Sequence, residues 1–421
     1  MQFNQALQHT IIWRSLNTAL GFGINLLLVR IMGAALSGQF FYALALLSFI
    51  TLVLSLSIET GITYIGSNTS ASIPALTVGI FPLLVLQFIL SWWILNWLDT
   101  QVDFLFSMLF VVGNLAVVYF SAILAALKSF AWLNSIPVVV NLIVASVLLY
   151  LWMQPNANPE WCISLFCGSF ALQAFGLGIA VINLVAFKRF SFESIFVQSK
   201  KVLQYALIAF IGNVLFFLVM RVDYYFVEKY CNADTLGNYV QVSKIGQLLI
   251  LLPSMIAAVI FPYSSTTTHE DEVGRVQWLS RSICWIYLPI MALIALVGYW
   301  VFPWLFGASF HQMYLPVLIY LPGFFALSIV AVIGAYLAGK ALQIHNMIGS
   351  SIAIVIVAIG DYMMIPQYGI IAAALVSSIA YVTSLVYLLL VYKQKLHIGP
   401  ASFFSLRWTD IKGMKALFGN Q

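Results

Sequence analysis

The chain has 421 residues, of which 63% are hydrophobic and 7% are charged, with 18 Lys and Arg against 13 Asp and Glu. Soluble domains carry about 25% charged residues, so this chain has too few charges to coat the surface of a soluble protein of its length. The apolar content also excludes a disordered chain, and the composition therefore predicts an all-α polytopic membrane protein.

Hydropathy predicts about twelve transmembrane helices, because a spanning helix needs about 20 mainly apolar residues. The predicted spans are centred near residues 21, 49, 86, 115, 142, 174, 212, 250, 291, 326, 354 and 381. The longest predicted connections are 188–201 and 263–279. The N-terminus lacks the basic region of a signal peptide, so we expect the first span to be retained.

The distribution of Lys and Arg orients the chain, since loops that stay in the cytoplasm keep the excess of positive charge. If the N-terminus lies inside, only Arg30, Arg221 and Lys229 of the 18 Lys and Arg residues fall at outer ends. The pattern therefore predicts that both termini are cytoplasmic. The connection 61–73 should also be cytoplasmic, although it contains neither Lys nor Arg.

Predicted span 1 carries its polar residues on one face. At 100° per residue, a stripe about 80° wide contains Arg14, Asn17, Gly21 and Asn25. Arg binds phosphate oxygens and amides bind hydroxyls, so the stripe is a candidate cavity wall for an anionic, glycosylated substrate. Alternatively, Arg14 reaches the cytoplasmic headgroups and the Asn residues join helices.

Arg30, Arg221 and Asp223 are predicted at the outer ends of spans 1 and 7. Contact with lipid headgroups explains each of them individually. Equivalent positions in the two halves of the chain also make them candidates for an outer gate.

A second polar stripe, on predicted span 8, contains Gly237, Gln241, Lys244 and Gln247. Lys244 lies about 10 Å below Gly237 at 1.5 Å per residue, a long distance for its ammonium to reach the headgroups. We therefore favour a cavity-facing ammonium suited to an anionic substrate, with headgroup contact as the alternative.

Two further carboxylates lie in or near spans: Glu59 at the inner end of span 2, and Asp361 about one turn from the outer end of span 11. A carboxylate in a membrane can take up a proton or Na⁺ and couple an ion gradient to movement. An interfacial position at a helix end explains both residues as well. H⁺ and Na⁺ are thus candidate coupling ions, and no other cofactor, metal site or catalytic residue is predicted.

The chain divides at the basic connection after residue 188. In the first half Arg30 precedes Gly38 and an aromatic pair, and in the second half Arg221 precedes Gly237 and an aromatic residue. The predicted domains are an N-terminal six-helix lobe (1–190), a C-terminal six-helix lobe (191–392) and a cytoplasmic tail (393–421). Repeated lobes of the same orientation imply pseudo-symmetry around a central cavity.

The chain resembles the polysaccharide-transporter branch of the multidrug/oligosaccharidyl-lipid/polysaccharide exporter (MOP) superfamily in a set of short motifs, and the similarity runs over essentially the whole chain to Tyr392. These motifs are Arg30-Ile-Met-Gly33, Gly38-Gln-Phe, Arg221-Val-Asp223, Leu236-Gly237-Asn-Tyr239, Leu251-Leu-Pro253, Ile260-Phe-Pro262 and Ile365-Pro366-Gln-Tyr-Gly369. The resemblance implies a flippase that moves undecaprenyl-diphosphate-linked oligosaccharide, such as an O-antigen or capsule repeat unit, from the inner to the outer leaflet of a bacterial cytoplasmic membrane by alternating access. The implied partners are the lipid-linked oligosaccharide and membrane lipids, with polysaccharide polymerase and chain-length proteins as further candidates and no nucleic acid.

Two other functions remain as alternatives. A drug or cation antiporter of the same superfamily would need an acidic, aromatic-lined cavity, whereas the deepest charges predicted here are Arg14 and Lys244. A membrane polysaccharide polymerase would need acid/base groups on a sizeable outer loop, and the outward connections are short. We therefore expect a transporter and not an enzyme.

Overall fold

The computed structural model describes residues 3–405, apart from 69–71, 99, 156, 186–191, 265–268, 341 and 398. Some side chains within the helices, including that of Arg14, also fall outside this description. The described residues form helices and no strand, as the composition predicts. Two short 3-10 helices, Ala308–Met313 and Pro400–Phe403, accompany the α-helices.

The α-helices of the described chain are numbered in chain order. They are α1 (Phe3–Ser55), α2 (Ile58–Asn68), α3 (Ile73–Trp97), α4 (Phe104–Ala126), α5 (Phe130–Trp152), α6 (Pro159–Leu184), α7 (Phe192–Tyr230), α8 (Ala233–Ser264), α9 (His269–Phe306), α10 (Tyr314–Gly339) and α11 (Gln343–Leu396).

Helices α1 and α11, with 53 and 54 residues, are each interrupted by one glycine. Gly33 has φ 71° and ψ −177°, and Gly369 has φ 57° and ψ −142°, conformations that side chains with a Cβ rarely adopt. Nine stretches of the described residues are long and apolar enough to span a membrane. Division of α1 and α11 at their interruptions and the addition of α8 bring the count for the described helices to about twelve, close to the number that hydropathy predicts.

The first segment of α1 and helix α5 run in the same direction. The Asn141 amide donates to Asn17 at 2.8 Å, and further along both helices the Arg30 guanidinium lies 5.9 Å from the Trp152 ring centroid. Spans 1 and 5 are both odd-numbered, so they are expected to cross the membrane in the same direction.

Several exposed tryptophans lie at the predicted outer ends of the spans, as expected for an aromatic belt at the membrane interface. They are Trp93, Trp97, Trp152, Trp161, Trp300 and Trp304.

Residue contacts divide the chain into two compact units, unit 1 (Met1–Val214) and unit 2 (Leu215–Gln421). Helix α4 lies against α1, α2, α3, α5 and α6 in unit 1, and α10 lies against α8, α9 and α11 in unit 2. The division falls within α7. The predicted domain boundary at residues 190 and 191 remains a prediction.

The two long connections predicted from hydropathy are mostly helical, so that prediction was wrong. Helix α7 begins at Phe192 and contains Lys200 and Lys201, while α8 extends to Ser264 and α9 begins at His269. Hydropathy marks only the apolar part of a helix, and residues such as Lys, Glu and Gln have high helix propensity and extend it beyond that part.

The segment Pro400–Phe403 of the predicted tail packs against other helices of unit 2. The Arg281 guanidinium donates to the Ser402 carbonyl at 3.0 Å, and the Gln277 amide donates to the Ser402 hydroxyl at 3.1 Å. Phe403 is fully buried, with its ring 5.2 Å from that of Tyr392. The segment Pro400–Phe403 is therefore attached to α9 and α11, and the rest of the predicted tail, from residue 406, lies outside the described residues.

Candidate functional site

The polar stripe predicted on span 1 does not form one continuous exposed face. The side chain of Arg14 lies outside the described residues. Asn25 is buried at 7% exposure, whereas Gly21 is exposed and a Cβ added there would meet no atom within 4 Å. The stripe thus passes from an open surface near Gly21 into the protein interior at Asn25.

Asn17 belongs to a row of amides that connects three helices. It accepts from Asn141 of α5 at 2.8 Å, and the Asn141 oxygen accepts from Gln173 of α6 at 3.4 Å. Interhelical amide contacts of this kind join helices where no water is present. The row favours the helix-joining interpretation for Asn17.

Span 2 continues beyond the end of α1 into α2. Its interruption is at Leu56 and Ser57, which have φ values of 48° and 54°. A Cβ on Gly66, near the end of α2, would lie 2.8 Å from Cβ of Ala126, the last residue of α4. Ten residues of helix span about 15 Å, so the interruption lies well inside the hydrocarbon region. The uncharged connection 61–73 is accordingly mostly helix packed beside α4.

A group of buried polar atoms surrounds this interruption. The Gln87 amide of α3 donates at 2.7 Å both to the Leu54 carbonyl at the end of α1 and to the Tyr119 hydroxyl of α4. Asn213 of α7 donates to the Ser57 hydroxyl at 2.9 Å. These bonds satisfy groups that an interrupted helix leaves unpaired.

Glu59 lies in the first turn of α2, close enough to Tyr119 for an electrostatic interaction. An acidic side chain at this position complements the positive end of the helix dipole. One of its oxygens, Oε2, is buried and accepts no hydrogen bond from the described residues. Glu59 is therefore placed within span 2 and not at its inner end.

Arg221, Asp223 and Asp361 lie deeper than the sequence predicted. Arg221 and Asp223 precede the last residue of α7 by nine and seven positions, about 13 and 10 Å along the helix. Asp361 precedes the interruption at Gly369 by eight positions, about 12 Å. Both carboxylates have 0% exposure, so headgroup contact does not explain them. Hydropathy placed the helix ends too early because the last turns of α7 are polar.

Asp223 and Asp361 belong to a buried group in unit 2, the tyrosine–aspartate cluster, which consists of Asp223, Tyr239, Tyr320, Asp361 and Tyr381. The Tyr239 hydroxyl donates to Asp223 Oδ2 at 2.5 Å, and the backbone amide of Tyr224 donates to Oδ1 at 2.9 Å. The Tyr320 and Tyr381 hydroxyls are 3.1 Å apart. Helices α7, α8, α10 and α11 each contribute at least one residue.

Asp361 is the member of this cluster with unused hydrogen-bonding capacity. Both carboxylate oxygens are buried and accept no hydrogen bond from the part of the chain that the structure describes. Asp361 lies close enough to Asp223 for the carboxylates to repel each other. Two such groups in a low dielectric are best accommodated when they share a proton or a bound cation.

The span 8 stripe meets α7 through Arg221. The Arg221 guanidinium donates to Gln247 Oε1 at 3.1 Å and to the Tyr224 hydroxyl. Lys244 is half-buried and lies within electrostatic range of Arg221, whereas Gln241 is fully buried. The structure therefore brings Arg221, Lys244 and Gln247 together as a cationic region beside the tyrosine–aspartate cluster.

Other residues of these two groups were missed in the sequence. Tyr239, Tyr320 and Tyr381 look like ordinary apolar residues of a span, and Gln87 is a single amide in an apolar helix. One usable signal for Tyr239 was its place in the motif Leu236-Gly237-Asn-Tyr239, two residues after Gly237. The others become recognisable only when packing brings distant helices together.

These features define a multi-pass helical membrane protein whose unit 2 holds two buried carboxylates and a cationic region. Its fold is shared with transporters of the MOP superfamily. The lipid II flippase MurJ in an inward closed conformation matches with a TM-score of 0.73 at 13% identity, covering 98% of this chain and 92% of that chain. An inward-facing multidrug resistance MATE transporter matches with a TM-score of 0.65 at 11% identity, covering 92% and 98%. The Vibrio cholerae MATE transporter VcmN matches with a TM-score of 0.57 at 13% identity, covering 92% and 98%.

Residues 162–315 match the family model described as polysaccharide biosynthesis protein. A search of curated protein sequences gives no match. The family match and the shared fold together support the resemblance to the polysaccharide-transporter branch that the sequence motifs indicate.

Proposed function

We propose that the protein is a flippase for undecaprenyl-diphosphate-linked oligosaccharide, an O-antigen, capsule or exopolysaccharide repeat unit, in a bacterial cytoplasmic membrane. The observation that carries the proposal is the match of residues 162–315 to a polysaccharide biosynthesis family within a chain that has the fold of a lipid flippase. The headgroup of such a substrate carries a diphosphate and hydroxylated sugars. Cationic side chains bind the diphosphate, and amide side chains form hydrogen bonds with the sugar hydroxyls.

The cationic region of unit 2 is the proposed binding site for the diphosphate. Arg221 presents a planar guanidinium and Lys244 an ammonium, and both lie where lipid alone would penalise charge. In the proposed mechanism the headgroup binds from the inner leaflet, alternating access exposes it outside, and the polyprenyl tail remains in lipid. Arg14 on span 1 is a further proposed contact.

The tyrosine–aspartate cluster is the proposed coupling site. Uptake of H⁺ or Na⁺ would remove the repulsion between Asp223 and Asp361 and thereby favour one conformation over the other. The ion gradient would then drive the cycle in one direction.

Reconstituted transport tests the proposal directly. Purified protein is placed in proteoliposomes with undecaprenyl-diphosphate-linked oligosaccharide, and the fraction of glycan accessible to a membrane-impermeant oxidant is followed over time. We expect faster exchange between leaflets than in protein-free vesicles. Equal rates in the two preparations would reject the flippase, as would unchanged surface glycan after deletion of the gene.

A drug or cation antiporter is the second candidate, because unit 2 does contain buried carboxylates among tyrosine rings. Acidic and aromatic groups are what an organic cation requires. Sensitivity of a deletion strain to cationic dyes, with normal surface glycan, would favour this function over the flippase.

A further inference from the structure

A groove lies in unit 1 where the interruption of span 2, helix α2, helix α3 and helix α7 meet. Its volume is about 300 Å³. The residues that line it include Ile58 and Ile62 of α2, Ile80 and Leu83 of α3, and Val202 and Leu203 of α7.

The lining indicates the chemistry of an occupant. Except for Ser199, the lining side chains are aliphatic, with one glycine at position 79. Sugars and diphosphates need hydrogen-bond partners that this surface lacks. The volume is at the lower end of the range for ligand pockets, about 300 to 1,000 Å³. The groove therefore fits a single hydrocarbon chain.

The groove lies in one half of the predicted bilayer. At one end Leu56 belongs to the interruption of span 2, about 15 Å from the end of α4. Towards the other end, α2 and α7 are in close contact, because a Cβ on Gly61 would lie 2.5 Å from the Val202 carbonyl oxygen. An occupant would thus lie at the depth of the acyl chains in the predicted cytoplasmic leaflet.

A positive charge borders this groove. Lys200 and Lys201 are both exposed and follow the lining residue Ser199 on α7. At 100° per residue, Lys200 lies about 60° from Leu203, about 100° from Ser199 and about 160° from Val202. Lys201 lies about 160° from Leu203 and Ser199 and about 100° from Val202, so Lys200 is on average the nearer of the two to the lining residues. Basic residues beside grooves on the cytoplasmic side bind the headgroups of anionic lipids.

We propose that this groove binds one acyl chain of an anionic phospholipid whose phosphate contacts Lys200. The bound chain contacts Leu56 and Ile58 on both sides of Ser57 and so stabilises the interruption of span 2. This site is separate from the proposed flippase activity and can be tested without it.

Native mass spectrometry of the purified full-length protein tests the site. The protein is incubated with phosphatidylglycerol or with phosphatidylcholine, and retained lipid is counted after detergent removal in the gas phase. We expect one phosphatidylglycerol to be retained in preference to phosphatidylcholine. Leu83→Trp fills the groove and Lys200→Gln removes the charge, and each should lower retention by about fivefold or more.

Two neighbouring substitutions serve as matched controls. Leu83 and Leu84 are both partly exposed, but Leu84 does not line the groove, and Lys201 is one residue from Lys200 on the far side of α7. Leu84→Trp and Lys201→Gln should retain the lipid, and the stability of Lys200→Gln should match that of the wild type. Equal retention of the two lipids, or equal effects of each variant and its control, would overturn the proposal. Displacement of phosphatidylglycerol by equimolar undecaprenyl phosphate would also overturn it, because the groove would then bind a prenyl chain.

Discussion

Single residues in unit 2 differ in how well they suit the proposed ion coupling. A buried ionised carboxylate is costly unless it is paired, yet Asp361 has 0% exposure and two oxygens that accept nothing from the described residues. Asp223, in contrast, accepts from Tyr239 and Tyr224. Asp361 is therefore the member of the pair best placed to gain and lose an ion.

Replacement of Asp361 by Asn should separate stability from transport. Asn has nearly the same shape but no charge, so we expect Asp361→Asn to have an unchanged or higher melting temperature and to lose the dependence of flipping on an ion gradient. Both quantities can be measured on the purified protein, in detergent and in proteoliposomes with imposed H⁺ or Na⁺ gradients.

Asp234→Asn is the control for this prediction, since Asp234 is exposed at the start of α8. It should leave the gradient dependence intact. Gradient-dependent flipping by Asp361→Asn would place coupling elsewhere.

Lys244 provides the second prediction at this scale. Loss of a charged hydrogen-bond donor costs about 1.5 to 3 kcal/mol, so Lys244→Ala should slow flipping by at least about tenfold while the protein still inserts into the membrane. Lys229→Ala, at the exposed end of α7, should change the rate less than about twofold. If both variants transport at similar rates, Lys244 does not contact the substrate.

At the scale of helices, the main features of the molecule are interruptions. Gly33 and Gly369 divide the first and last long helices, and Leu56 and Ser57 interrupt span 2. Hydropathy predicted about twelve spans because each needs a fixed apolar length. It could not predict the interruption at Leu56 because Leu and Ser have no special preference for positive φ, and distant residues such as Gln87 and Asn213 help to stabilise it.

Substitution of either glycine by Ala should destabilise the protein. At the φ and ψ values of Gly33 and Gly369 a Cβ costs about 1 to 3 kcal/mol, so Gly33→Ala and Gly369→Ala should each lower the melting temperature in detergent. Gly168→Ala is a suitable comparison, because Gly168 is helical in α6 and its Cβ would meet nothing within 4 Å. That variant should be as stable as the wild type or slightly more stable. Equal melting temperatures in all three variants would contradict the assigned helix interruptions.

At the scale of the whole molecule, an all-helical chain with about twelve spans followed from composition and hydropathy, whereas the candidate site followed only in part. Lys244 was predicted to face a cavity because charge is rare in a span, whereas Arg221 and Asp223 were predicted at the outer end of span 7. Their partners Tyr239, Tyr320 and Tyr381 were not predicted, because tyrosines in an apolar sequence give no sign of which hydroxyls will meet. The depth of Asp361 was underestimated because the interruption at Gly369 is a backbone conformation and not a loop.

Cysteine labelling tests the proposed orientation. Native Cys162, Cys167 and Cys284 are buried, so replacing Cys231 by Ser gives a low background. In that variant Ser67→Cys in α2 should react with a membrane-impermeant maleimide only from the cytoplasmic side, and Gln154→Cys after α5 only from the outside. Labelling of both positions from the same side would show that α3, α4 and α5 do not all cross as described.

The attachment of Ser402 and Phe403 to α9 and α11 also has a consequence for biogenesis. A ribosome releases Arg281 of α9 more than a hundred residues before it releases Phe403, so the contacts of Arg281 and Tyr392 with this segment form only late in synthesis. Unit 1 can complete its packing earlier, while unit 2 must wait. Chains that stop short of residue 400 would lack this contact, and membrane proteases could distinguish them from finished chains by the exposed surface of Tyr392.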